Sequence, residues 1–232
     1  MIRNPSRAAR SGPGRMRAAL AVALLLLAPG AAQAQEAPAA RTQYLPPDFA
    51  PNKDGFLESW VGMHLASMEE PMLWAPQALD GYRSRLRMLV LPTFNQPYVI
   101  GIDQRADGRL ELRYTRTKGR GGYGGGPIDE RRTSALAADR FARVSDALAA
   151  ARFAERLPDN KDGREFAGAP RRQDMVMCMD GTQLLFELRT ASGDHVVTRH
   201  ECTLDAPTRA LAAAVLNAAG VVPDDRRGDP MP

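Results

Sequence analysis

The 232-residue chain carries 31 lysine and arginine residues against 27 acidic ones. Five arginines lie in the first 17 residues, where no acidic residue occurs, so the rest of the chain has 26 basic and 27 acidic residues, a net charge of about −1. The pI of about 9.4 therefore comes largely from the N-terminus, and the charge does not indicate a basic surface that binds nucleic acid.

The N-terminus has the order of features that is typical of a secretory signal peptide. The arginine-rich segment precedes an eleven-residue apolar run from Ala18 to Ala28, and the small-x-small sequence Ala32-Gln33-Ala34 follows. We predict cleavage after Ala34 and a periplasmic or secreted mature protein, with an uncleaved anchor as the alternative. The apolar run is too short to span a bilayer, so no membrane span is expected in the mature form.

The segment after the signal peptide predicts a leader and then a helix and strands. Residues 35–55, rich in Ala, Pro and Gln at their start, predict a flexible leader. Apolar residues at four-residue spacing predict a short helix over 57–67. Apolar or alternating runs then predict three strands, at 86–91, 98–103 and 109–117.

Six of the eight residues from Gly119 to Gly126 are glycine, which predicts a hairpin loop or substrate flap. An RNA-binding Arg-Gly box is the alternative interpretation, which the near-neutral mature charge disfavours. A helix with Ser134 as its N-cap is predicted next. A polar loop, a β-hairpin from Asp180 to Cys202, and a helix capped by Asp205 and Gly220 complete the domain.

This order of elements predicts an α+β fold with an antiparallel sheet of about five strands and two helices packed on one face. The predicted organisation is a signal peptide at 1–34, the leader at 35–55, a single domain at 56–222 and a disordered tail at 223–232.

The chain has two cysteines, Cys178 and Cys202, and an exported protein with two cysteines predicts a disulfide. The closed loop would stabilise the fold by roughly 3.5 kcal/mol on the chain-entropy model. Two strands hairpinned directly would hold the cysteines about 10 Å apart, so Cys178 is expected in a loop that returns to the end of the Cys202 strand. The rival hypothesis is a nucleophilic Cys178 with His195 as its base.

The hairpin also holds three candidate catalytic residues, Glu187, His195 and Arg199. If its turn has an odd number of residues, all three share one face, as a solvated charge network or as a groove for acid–base chemistry. An even turn separates Glu187 from His195. Because His195 and His200 are five residues apart, they point to opposite faces of a strand, and we predict no metal site and no cofactor.

Four short motifs lie between residues 92 and 199. They are Pro92-Thr93-Phe94, Gly121-Gly122-Tyr123, the pattern D-G-x-Q-(apolar)3-E at 180–187, and His-Val-Val-x-Arg at 195–199. Together they resemble a set of small exported proteobacterial proteins of uncharacterised function, over roughly residues 70–220. In those proteins tryptophan often stands where this chain has Leu184 and His200. The resemblance implies no activity, but it is consistent with a functional role for Glu187, His195 and Arg199.

Two functions follow from this sequence as hypotheses. The first is a non-catalytic domain that binds a protein or another component of the cell envelope. The second is a small hydrolase-like enzyme that uses Glu187 and His195, with Arg199 binding an anion. The signatures GxSxG and HExxH are both absent, which excludes the most familiar serine hydrolases and zinc proteases and favours the first hypothesis.

Overall fold

The computed structural model describes residues 43–49, 55–170, 178 and 180–221. The predicted signal peptide at 1–34 and the predicted tail at 223–232 lie outside the described residues. None of the helices in the described part of the chain has the length and apolar character needed to cross a bilayer.

A six-stranded antiparallel sheet forms the centre of the domain, in the order β4-β3-β2-β1-β5-β6. Its strands are β1 (Tyr82–Pro92), β2 (Tyr98–Arg105), β3 (Leu110–Thr117), β4 (Ile128–Ala135), β5 (Thr182–Thr190) and β6 (Gly193–His200). The predicted α+β class and antiparallel sheet are confirmed. β1 is a central strand, paired with β2 on one side and with β5 on the other.

The edge strand β4 was not predicted. Ser134, expected to cap a helix, instead pairs with Leu112 inside this strand. Most side chains of β4 are exposed and polar, because one edge of a sheet faces solvent and charged residues there prevent pairing with other chains. Such a strand has no apolar alternation from which it can be predicted.

Within the described residues, three helices cover the sheet: α1 (Phe56–Ser67), α2 (Ala138–Ala150) and α3 (Ala206–Ala219). The second and third pack together on one face, as predicted, and α1 covers the opposite face. The predicted caps of α3 are confirmed. The Asp205 side chain accepts a hydrogen bond from Thr208 N at 3.0 Å, and Gly220 follows the last turn in a left-handed conformation.

Side-chain alternation divides the sheet into a helix-pair face, against α2 and α3, and an α1 face. In β1, Met88 and Val90 lie on the helix-pair face in the larger apolar core. Leu89 and Leu91 lie on the α1 face, in a smaller core. Because both faces are covered, β1 is buried from Arg85 to Pro92, and its sequence is apolar there except for Arg85 and Arg87.

Residues 43–49 belong to the folded domain and not to the predicted flexible leader. Leu45 is completely buried in the smaller core, and Phe49 is buried beside it. The Glu58 carboxylate accepts hydrogen bonds from the backbone nitrogens of Tyr44 and Leu45, at 2.7 and 2.8 Å. Two apolar residues in a proline-rich stretch make no periodic pattern, so the sequence carries no signal of their burial.

Candidate functional site

The β5–β6 hairpin closes through a two-residue turn, because Thr190 pairs with Gly193. In this register Glu187 is opposite a valine and His195 is opposite a leucine. Paired residues of antiparallel strands point to the same face, so Glu187 lies on the α1 face, whereas His195 and Arg199 lie on the helix-pair face. The turn is therefore the even one that separates Glu187 from His195, and the structure does not bring the three candidate residues together. Two-residue turns are favoured because their twist matches that of the flanking strands.

Glu187 is held inside an ion pair with Arg87. Both residues are buried, with exposed fractions of 2% and 0%. Arg87 Nε and Nη2 both contact Glu187 Oε2, and Arg87 Nη1 donates to Pro71 O at 2.6 Å. Burial raises the pKa of the Glu187 carboxyl, and the guanidinium opposes that effect. A carboxylate enclosed in this way is not open to a substrate.

This pair belongs to a larger buried network on the α1 face, which we call the α1-face ion network. It consists of three arginines and three carboxylates: Arg85, Arg87, Arg113, Glu70, Asp103 and Glu187. Arg113 connects its parts, since Nη1 donates to Glu70 Oε1 at 2.9 Å and Nε donates to Asp103 Oδ2 at 2.8 Å. A Cβ on Gly101 would lie only 2.5 Å from Arg113 Nη2, so glycine leaves the room that this guanidinium occupies.

Arg199 attaches a surface loop to β6. It is 1% exposed, and its Nε donates to Glu165 Oε2 at 3.0 Å. Nη2 donates to Leu157 O at 3.0 Å, and Nη1 donates to Thr198 O at 2.8 Å. With an acceptor for each of its three nitrogens, this guanidinium stabilises the loop over residues 156–166 and is not placed to bind an external anion.

His195 packs at the other end of the helix-pair face. Its ring stands edge-on to Phe153, with the ring centroids 5.3 Å apart. Burial lowers its pKa, so the imidazole is neutral at physiological pH. These contacts are those of a packed side chain.

The structure joins Cys178 to Cys202 in a disulfide, with a Cα–Cα distance of 6.4 Å. Cys178 lies outside the strands, and Cys202 lies in the short turn directly after β6, which is the arrangement that the sequence required of a disulfide. The bond leaves no thiol on Cys178 for the rival nucleophile hypothesis. The imidazole beside the disulfide belongs to His200, whose Nδ1 is 3.0 Å from Cys202 Sγ.

Three of the motifs quoted for the resemblance meet at one end of the sheet. We call it the loop end, formed by the loops at 93–97 and 118–127 and by the beginning of β5. Gly122 N donates to Thr93 O at 3.1 Å, and Thr93 Oγ1 donates to Gly181 O at 2.8 Å. Each motif was visible in the sequence, but their meeting depends on strand pairing over long separations and was not predicted.

The glycine-rich segment is a hairpin loop between β3 and β4, as predicted, and α1 holds its backbone. Trp60 Nε1 donates to Gly121 O at 2.8 Å, and His64 Nε2 lies 2.9 Å from the same oxygen. A Cβ on Gly121 would lie 2.4 Å from Pro92 O. Glycine at this position therefore allows the loop to lie directly against the end of β1.

Large exposed apolar side chains lie on this loop, on the neighbouring loop at 93–97 and on α1, which holds the loop. In the described part of the chain they are Phe56, Met63, Phe94 and Tyr123, with exposed fractions of 65%, 39%, 50% and 64%. Phe94 and Tyr123 have ring centroids 6.4 Å apart, and Phe56 lies 6.0 Å from the half-buried Trp60. We call these five residues the aromatic rim. Its members come from α1 and from two loops, so no single stretch of sequence displays it.

No protein-family model matches the chain, and a comparison with curated proteins finds none that is similar. The resemblance to exported proteobacterial proteins therefore stays a prediction.

Replacement of Gly121 by alanine is expected to lower the free energy of unfolding by about 1–3 kcal/mol, because the new Cβ overlaps the backbone of β1. Gly124 is the matched control. It lies in the same loop, and a Cβ there meets nothing within 4 Å. Urea unfolding of both variants checks the prediction, and equal destabilisation by the two substitutions would contradict the packing of Gly121 against β1.

The stability of the protein is expected to fall as the pH decreases from about 7.5 to 5.5. His64 is completely buried, and burial lowers its pKa although the hydrogen bond to Gly121 raises it. The unfolded chain, with a histidine pKa of about 6.5, therefore takes up the proton first. The stabilising contribution is complete above that value and decreases below it. Burial lowers the pKa of His195 and His200 as well, so they act in the same direction.

The variant His64→Gln isolates the contribution of this residue, since the amide can still donate to Gly121 O but does not titrate. Urea unfolding at several pH values should show a shallower pH dependence in the variant, by at most about 1.4 kcal/mol per pH unit. An unchanged slope would mean that His64 has the same pKa in the folded and unfolded states, and a steeper one that its pKa is raised by folding.

Proposed function

We propose that the chain is an exported, periplasmic or secreted, non-catalytic protein that binds a protein partner of the cell envelope through the aromatic rim. The observation that carries this proposal is the gathering of the large exposed apolar side chains at the loop end. Contiguous exposed apolar groups are uncommon on monomeric soluble proteins and mark interaction sites. Phe, Tyr, Trp and Met are also the residue types that are enriched at protein interfaces.

The rim is held in place before any partner binds. Its loop is fixed by the two donors of α1 on Gly121 and by the hydrogen bond between Gly122 and Thr93. A preorganised surface loses less conformational freedom on association than a mobile one. The aromatic members add large contact areas with few rotatable bonds.

The chemistry of the rim favours a polypeptide over nucleic acid. Single-stranded nucleic acids require a basic groove beside the stacking rings, and the mature chain has almost no net charge. Met63 and Phe56 extend the surface along α1 with apolar groups that suit the side chains of a protein. The candidates for catalysis do not compete with this role, because Glu187 and Arg199 have partners inside the fold.

Photo-crosslinking in the organism that encodes the chain tests the proposal. A benzophenone amino acid replaces Tyr123 in one variant and Arg109 in a control, where the side chain is exposed in the turn at the opposite end of the sheet. We expect a protein adduct of defined mass from position 123 and none from position 109. Adducts from both positions, or from neither, would contradict the proposal. The protein could instead co-sediment with purified cell-wall polysaccharide and lose this binding when the rim is mutated. That result would identify the partner as a glycan and not a protein.

A further inference from the structure

Three potential metal ligands meet beside the loop end of the sheet. The sulfur atoms of Cys178 and Cys202 and an imidazole nitrogen of His200 all lie within 4.8 Å of one another. Cys202 is exposed to solvent, and the other two residues are half-buried. An ion can therefore reach the cluster from outside without opening the core.

The Nδ1 atom of His200 lies beside the sulfur atoms, and its lone pair accepts a hydrogen bond from Cys202 N that a bound metal ion would replace. The backbone nitrogen of Cys202 lies 3.3 Å from His200 Nδ1 and can only donate to it, so Nδ1 is the unprotonated nitrogen of the ring. The same Nδ1 is 3.0 Å from Cys202 Sγ.

We propose that reduction of the disulfide converts Cys178, Cys202 and His200 into a Zn²⁺ site with a fourth position open to solvent. Two thiolates and one imidazole are a ligand set that zinc accepts, with water completing a tetrahedron. Soft sulfur ligands select zinc over the harder cations magnesium and calcium. The set contains one histidine, so it differs from the polyhistidine site that the spacing of His195 and His200 excluded.

The reaction balances with a dithiol as reductant. The dithiol gives two electrons and two protons to the Cys178–Cys202 bond and becomes a disulfide itself, leaving two cysteine thiols in the protein. Zn²⁺ then binds both sulfurs as thiolates, and the two protons leave to solvent. With zinc–sulfur bonds of about 2.3 Å, the sulfurs must separate to about 3.8 Å, which rotation of the two side chains supplies. The disulfide form has no thiolates, so the redox state controls metal binding.

Cobalt titration of the reduced mature chain tests this proposal. Under anaerobic conditions and after removal of the dithiol, Co²⁺ should give a thiolate-to-metal charge-transfer band that saturates at one equivalent and disappears when Zn²⁺ is added. The oxidised protein should give no such band. His200→Ala should weaken binding by more than about 100-fold, because even outer-shell groups contribute 10- to 100-fold to metal affinity.

His195→Ala is the matched control, since His195 lies in the same strand but outside the cluster, and its metal affinity should equal that of the parent chain. Circular dichroism at each step reports whether the reduced chain is folded. A folded reduced protein that binds no Co²⁺, or that binds it equally well in His200→Ala, overturns the proposal. A reduced chain that unfolds and does not refold when Zn²⁺ is added overturns it as well.

Discussion

Replacement of Arg87 by methionine is expected to lower the free energy of unfolding by about 3–5 kcal/mol, which is the usual cost of breaking a buried ion pair from one side. The substitution leaves Glu187 buried without its cation, and Oε1 of that carboxylate already has no hydrogen-bond partner among the described residues. The double variant Arg87→Met/Glu187→Leu removes both charges and should be more stable than Arg87→Met alone. Urea unfolding with an unchanged m-value measures both effects.

The control for this prediction is Arg109→Met. Arg109 also pairs with a carboxylate, Asp107, but the two side chains are 68% and 53% exposed. Loss of an exposed pair of this kind has little or no effect on stability, because solvent screens the two charges. A loss of stability in Arg87→Met as small as that in Arg109→Met would contradict a buried ion pair between Arg87 and Glu187. A double variant as unstable as Arg87→Met alone would contradict it as well.

Removal of the disulfide is expected to have the second largest effect on stability. The bonded cysteines are 24 residues apart in the sequence, and the chain-entropy model gives a loss of about 3.5 kcal/mol for a loop of this size. The variant Cys178→Ala/Cys202→Ala should therefore unfold at a lower urea concentration than the oxidised parent chain. Reduction of the parent chain in the presence of a metal chelator should lower its stability by a similar amount.

The reductant also provides the control, because it should leave the unfolding curve of the double variant unchanged. If reduction did not destabilise the parent chain, the bond between Cys178 and Cys202 would contribute nothing to the fold. If it destabilised the double variant equally, the effect of the reductant would not come from this bond.

Features of the fold that depend on local sequence were predictable. α3 was predicted with both of its caps, because Asp205 and Gly220 act within one turn of the helix ends. The strands β1, β2 and β3 were found from apolar residues close together in the sequence, although both ends of β1 and the end of β2 were placed too far inward. β4 was missed because its position at the edge allows polar side chains on both faces.

Whether Glu187, His195 and Arg199 share one face depended on a shift of one residue in the pairing of β5 with β6. One residue more or fewer in the turn moves His195 and Arg199 to the other face of β6, and the sequence Thr-Ala-Ser-Gly permits either turn. The partners of the buried charged residues could not be predicted from neighbouring residues in the sequence either. Arg87 and Glu187 are 100 residues apart in the sequence. Without knowledge of this partner, an arginine on a strand predicts that its side chain is exposed to solvent.

The aromatic rim was partly visible in the sequence, because two of its members lie in motifs that the sequence analysis identified. Phe94 ends the Pro-Thr-Phe motif, and Tyr123 ends the Gly-Gly-Tyr motif. Their proximity follows from the pairing of β1, β2 and β3, which places the two loops at the same end of the sheet. The sequence thus contained the residues of the rim, while the strand order supplied their arrangement.

The most direct test of the aromatic rim as the binding surface is to measure the affinity of the crosslinked partner for rim variants. With the purified partner, calorimetry should show that Phe94→Ala/Tyr123→Ala raises the Kd by about 30-fold or more, as expected when interface hot spots worth about 2 kcal/mol are removed. Arg109→Ala, at the opposite end of the sheet, should leave the Kd unchanged, and the urea unfolding curves should show that both variants are folded. A folded Phe94→Ala/Tyr123→Ala protein that binds the partner with the Kd of the parent chain would contradict the assignment of the aromatic rim as the binding surface.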